Sequence, residues 1–160
     1  MSPHHSYAPE AVSPVRDATA RRFLTEVGLP EEHLLFAATD PAVRSVPAGG
    51  SERKLLKIGQ GGDHDEFCID IESGEIVSLS TEDASIWHVN ESVTAFHECL
   101  EEFSSRFPAG DEDTEPEEWE ELSSRFEQAL LHIDGTALRE DPGFWYSLLH
   151  DVAIGDYAAD

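Results

Sequence analysis

The sequence predicts an α+β fold: a central, mainly antiparallel sheet packed by several helices. Three observations predict it. Glu66 to Glu72 alternates apolar and polar residues, and after Ser73-Gly74 the run Glu75 to Ser80 brings back Ile76, Val77 and Leu79; period-2 runs joined by a turn mark half-buried strands in a hairpin. Val93, Phe96, Leu100, Phe103 and Phe107 then recur at helical spacing, with Glu98, Glu101 and Glu102 largely off that stripe. Two more stripes of the same period follow, one from Trp119 to Ile133 and one from Phe144 to Val152. A sheet with an apolar face needs a cover, and these helices supply it.

Taken in order, residues 1–12 are rich in Pro, Ser, His and Ala without periodicity. They read as a flexible N-terminal arm, and residues 13–157 as a single domain. Ser13-Pro14 has the form of an N-cap followed by proline at the first helical position. The helix it opens carries Ala18, Phe23, Leu24 and Val27 and ends at Gly28. Leu34-Leu35-Phe36 reads as a short buried strand, and Thr39 to Ser51, with two prolines and Gly49-Gly50, as a loop. Lys54 to Ile58 is the next strand, closed by the glycine-rich Gly59-Gln60-Gly61-Gly62.

The apolar faces select a turn for the hairpin. A three-residue loop, Glu72 to Gly74, sets Ile69 opposite Val77 and Phe67 opposite Leu79, so one continuous apolar stripe is buried. It also puts Gly74 where positive φ is needed. Ser85 to Val89 is a further short strand, and Asn90 or Ser92 caps the long helix that Pro108 and Gly110 stop. Residues 109–116 form an acidic loop whose run Asp111, Glu112, Asp113 and Glu115 is too charged to pack. Pro116 opens the next helix, with Glu117 and Glu118 at its positive end. The last helix spans about Asp141-Pro142 to Val152 and stops at Gly155.

Hydrophobic residues make up 39% of 160, and three Trp and eight Phe supply large buried surfaces, which excludes wholesale disorder. Against this stand 34 acidic and 10 basic residues, a formal charge of −24. Such a surface repels phosphate backbones and anionic lipid and favours fast capture of a basic partner. Two cysteines, Cys68 and Cys99, make no disulfide framework. No stretch approaches the ~20 apolar residues of a membrane span, and the expected location is cytoplasmic.

The chemistry-bearing residues do not assemble into a familiar catalytic set. His64-Asp65-Glu66 could supply a base, with Asp70 and Glu72 as orienting carboxylates for a small hydrolase. Neighbours on a strand point to opposite faces, however, so the plainer reading is a charged turn entering a strand. None of the eight histidines forms a His-x-x-x-His pair or a His-Glu-x-x-His helix motif. No metal site is expected beyond nonspecific scavenging by His4-His5, and no cofactor. Gly59 to Gly62 lacks the Lys-Ser/Thr of a phosphate loop, and no serine sits in a Gly-x-Ser-x-Gly elbow.

Several short pieces, in their order and spacing, carry a resemblance. They are Phe23 to Pro30, Ile58-Gly59, Ile69-Asp70 with Gly74 and Val77, Asn90-Glu91-Ser92 leading to Phe96, and Trp145 with Leu148-Leu149. Together they span about residues 15 to 155, and the chain resembles the SUKH superfamily, in particular its fourth subfamily of bacterial immunity proteins. The resemblance implies a SUKH-like α+β domain that binds and neutralises a polymorphic toxin, often a nuclease or nucleic-acid deaminase. It carries over no catalytic residue and no toxin footprint. Charge then nominates two patches as the partner surface: Asp63, Asp65, Glu66 and Asp83 with Trp87 as an aromatic anchor, and the run Asp111, Glu112, Asp113 and Glu115. A scaffold domain binding an endogenous protein, and the hydrolase built on His64 to Glu72, are the competing readings.

Overall fold

A computed structural model describes residues 3–159. Its centre is a five-stranded antiparallel meander in sequential order: β3 (Ala37–Ala48), β4 (Ser51–Gln60), β5 (Asp65–Asp70), β6 (Ile76–Ser80) and β7 (Ile86–Asn90). A two-stranded ribbon pairs β1 (His4–His5) with β2 (Leu29–Pro30). Five helices complete the fold: α1 (Pro9–Val12), α2 (Ala18–Glu26), α3 (Val93–Arg106), α4 (Pro116–Ile133) and α5 (Phe144–Ala153).

The main core lies between the sheet and the helices. Phe67, Ile69, Ile76 and Val89 from the strands meet Phe96, Phe103, Phe126 and Trp145 from the helices, all fully buried. Phe36, Phe67 and Phe96 form an aromatic triad with centroids 5.2–5.4 Å apart, Phe36 meeting Phe96 edge to face. The three long helices form where their stripes predict. Ser92 caps α3 by accepting from Ala95 N, and Pro116 opens α4.

Four local expectations are corrected. The first is the arm: residues 4–12 pack against the body. Tyr7 is 2% exposed, and its hydroxyl donates to Ile58 O at 2.5 Å. Val12 is buried, and His4–His5 completes a ribbon too short to show periodicity. The second is Ser13-Pro14, which does not begin a helix; α2 starts at Ala18 under Asp17, whose carboxylate accepts from Thr19 N. The third is Thr39 to Ser51. Instead of a loop it belongs largely to β3, turned by Gly49-Gly50 into β4, while Leu35 and Phe36 enter the core without forming a strand. Proline is tolerated because β3 is an edge strand with an unpaired side, and Pro41 sits in the irregularity between Ala38 and Ala42.

The fourth correction is the hairpin register. Asp70 and Glu75 close a four-residue loop, so Ile69 faces Ile76, Cys68 faces Val77 and Phe67 faces Ser78. The Asp70 carboxylate builds the loop by accepting from Glu72 N at 2.8 Å and Ser73 N at 3.0 Å. Gly74 does take positive φ, at 82°. The stripe argument assumed one buried face, yet this sheet buries apolar side chains on both. Val46, Leu55, Cys68, Val77 and Leu79 form a second small cluster on the side without helices, so apolar pairing alone did not determine the register.

Candidate functional site

The helix-free face of the sheet is closed by ion pairs. At one end Glu66 is buried and takes Arg44 at 2.9 Å and Lys57 at 3.2 Å; the Arg44 bond and the Lys57 charge hold its carboxyl below the ordinary range despite burial. At the other end Arg53 bridges Asp70 and Glu75, each at 2.7 Å. Glu75 also accepts from His88 Nδ1 at 2.6 Å and pairs with Arg139 at 3.2 Å. Four of the ten basic residues are thus spent here on three carboxylates, and the excess negative charge lies elsewhere on the molecule.

Part of that excess sits at the opposite end of β5 and β6 from the hairpin loop. The turns 61–64 and 81–85 are tied together, Thr81 N donating to His64 O at 2.8 Å and His64 Nε2 lying 3.5 Å from Glu82. Asp63, Asp65 and Asp83 are all exposed on this end. Asp83 accepts from Ser85 N at 3.0 Å, and Ala84 beside it adopts φ 60°, a conformation glycine would take at less cost. The observed register places Asp65, Ser78 and Ser80 on the helix-covered face beside Trp87 of β7.

Two adjoining cavities open there. One, of about 230 Å³, is lined by Asp65, Ser78, Ser80, Ser85, Trp87 and Phe144. The other, of about 220 Å³, shares Asp65, Trp87 and Phe144 and extends over Leu35, Leu148, Asp151 and Tyr157. Trp87 is 37% exposed, and Leu34 on the rim 64%. Ser78 is 8% exposed, and its hydroxyl, like the Asp65 carboxylate, has no hydrogen-bond partner among the described residues. Burial, and the neighbouring charge of Asp156, raise the Asp151 carboxyl above its usual value.

The second predicted patch is a hydrogen-bonded turn. Asp111 N donates to Thr114 Oγ1 at 2.8 Å, and Asp113 N donates to Asp111 Oδ1 at 2.9 Å. Asp111, Glu112 and Asp113 line a shallow cavity of about 650 Å³ with Trp119, Ile154 and the C-terminal Ala158 and Ala159. Glu115 stands exposed at the N-cap of α4. The C-terminal segment joins the two patches, since Tyr157 lines the Trp87 groove and its neighbours line this cavity.

A match to a family model decides what kind of protein carries this surface: the SUKH-4 immunity protein model matches residues 4–151. The chain belongs to the SUKH-4 immunity protein family. No curated protein and no solved structure matches it. Membership brings toxin immunity as the family's role. Of the nominated residues, the structure gathers Asp63, Asp65, Asp83 and Trp87 at one end of the sheet and turns Glu66 away into its ion pairs. The groove's far wall, Phe144, Leu148 and Asp151 on α5, escaped sequence reasoning because only the fold brings it beside Trp87. The hydrolase residues are dispersed. His64 meets Glu82, Asp70 meets Arg53 and Glu72 meets Arg16, at two ends and on different faces of the hairpin. No helix among the described residues is long and apolar enough to cross a membrane.

Proposed function

We propose that this immunity protein neutralises a toxin acting on nucleic acid by covering its basic cleft with the acidic end of the sheet and the Trp87 groove. The observation that carries the reading is the polar cavity. A part-exposed indole lines it together with an unpaired carboxylate and a serine hydroxyl that has no hydrogen-bond partner among the described residues. At about 230 Å³, it falls below the about 300–1,000 Å³ of small-molecule sites. It suits one arginine or lysine side chain, with the cation over the Trp87 ring, the Asp65 carboxylate as counter-charge and Ser78 accepting a hydrogen bond. Exposed Asp63 and Asp83 around it speed encounter more than they deepen affinity.

Toxins encoded beside the gene are the partners to screen, by pull-down and by rescue of toxin-expressing cells. With the cognate toxin in hand, Asp63→Lys, Asp65→Lys and Asp83→Lys together are expected to slow association at low salt by about tenfold or more. Trp87→Ala is expected chiefly to speed dissociation, costing about 2 kcal/mol or more as an interface anchor. An unchanged on-rate in the triple variant removes this end of the sheet as the toxin-facing surface. A scaffold role would show instead as a stable endogenous partner and no rescue.

A further inference from the structure

On the side of the molecule where β1 meets α3, the fold builds a cluster that sequence spacing does not reveal. His4 lies on β1 and His97 on α3, ninety-three residues apart, yet their Nε2 atoms are 2.9 Å from each other. Glu101, one helical turn after His97, brings Oε1 to 3.6 Å from His97 Nε2 and 3.9 Å from His4 Nε2. All three donor atoms fall within 4.8 Å of one another. They border a cavity of about 590 Å³ that also includes Val27, Pro30 and His33.

We infer that His4, His97 and Glu101 form a binding site for a divalent transition metal, of the Zn²⁺ class, which fastens the N-terminal ribbon to α3. Two imidazoles and one carboxylate are the donor set such an ion prefers, and an adjoining cavity leaves room for water to complete the coordination. Ligand atoms at about 2.0–2.2 Å from a tetrahedral or octahedral ion stand roughly 2.9–3.5 Å apart. The two nitrogens already meet that spacing, and the exposed Glu101 side chain closes the remainder by a small rotation. His97 is seated edge-on against Phe23 with centroids 5.3 Å apart, which fixes its ring plane. To bind, both rings carry their proton on Nδ1 and give both Nε2 lone pairs to the ion. His33 is not a fourth ligand. Its Nδ1 accepts from Leu35 N, and its Nε2 is engaged by Leu100 O and Ser104.

The test uses the full chain, stripped with chelator and titrated with Zn²⁺ by calorimetry against a weak competing chelator, with Tm followed in parallel. One equivalent is expected to bind. At a hundredfold excess over Kd, Tm should rise by about 5–10 °C. His97→Ala and Glu101→Gln should each weaken binding at least about tenfold, while His132→Ala on the exposed face of α4 leaves it unchanged. Glu101→Gln alters an exposed side chain, so it stays informative should His97→Ala fail to fold. Weak binding at several sites, or affinity untouched by Glu101→Gln, overturns the assignment.

Discussion

Asn90 and Asp134 show how individual polar residues stabilise this core. Asn90 is fully buried; its Nδ2 donates to Asp134 Oδ2 at 2.8 Å and its Oδ1 accepts from Trp145 Nε1 at 3.0 Å. Asp134 is 1% exposed and also accepts from Glu91 N, Thr136 N and Thr136 Oγ1 at 2.7–2.9 Å. The cluster ties the start of α3, the end of α4 and the start of α5 to the last strand. Burial alone would raise the Asp134 pKa, but the bonds from Asn90, Glu91 and Thr136 outweigh it and hold the carboxyl below its ordinary value. A depressed folded pKa means stability that is present above the unfolded carboxylate value and lost as pH falls through the folded one. Asp134→Asn leaves donors facing a donor and is expected to cost about 2–4 kcal/mol at neutral pH. Urea midpoints for both proteins, measured from neutral pH into acid, should draw together as the native carboxylate becomes protonated. A gap of constant size would show that its charge contributes nothing.

At the scale of elements, what was legible in the sequence divides by how local its cause is. Helices α3, α4 and α5 announce themselves through stripes and end signals contained within each segment, and strands β4 to β7 through short apolar or alternating runs bounded by turns. β3 was hidden because Pro41, Pro47 and Gly49-Gly50 are loop signals unless the strand is known to lie at an edge. β1 was hidden because its two residues gain order only from pairing with Leu29–Pro30. The N-terminal segment gives the sharpest test of that lesson. A loose arm predicts no effect of altering it, whereas the structure buries the Tyr7 ring and bonds its hydroxyl to Ile58 O. Tyr7→Ala is therefore expected to lose about 3–5 kcal/mol as a large buried ring is removed, read as a lowered denaturation midpoint with an unchanged slope. The candidate site follows the same division. Asp63, Asp65, Asp83 and Trp87 were readable as charge and an aromatic on one hairpin region, while α5 as the facing wall and His4 beside His97 depend on contacts between distant segments.

For the whole molecule, the distribution of charge matters more than its sum. Arg44, Lys57, Arg53 and Arg139 are committed to the helix-free face, so that face is nearly balanced and the turns at the end of β5 and β6, the α4 entry and the C-terminal segment carry uncompensated carboxylates. Two consequences of the −24 charge then respond to salt in opposite directions. Self-repulsion destabilises the compact state, and ions relieve it. On the function proposed above, the same field steers a basic toxin, and ions weaken that steering. Between about 0.01 M and 0.15 M salt the screening length shortens from about 30 Å to about 8 Å. That span leaves close, part-buried pairs such as Arg53 with Asp70 largely intact and removes the longer-range repulsion. Tm should accordingly rise with salt over this range while the toxin association rate falls by about tenfold or more, and a thermal scan beside stopped-flow mixing in the same buffers measures both. A Tm that fell with salt would mean that the ion pairs of the sheet outweigh the repulsion of the remaining surface. An on-rate indifferent to salt would mean that the toxin meets this protein through shape at the Trp87 groove without electrostatic guidance.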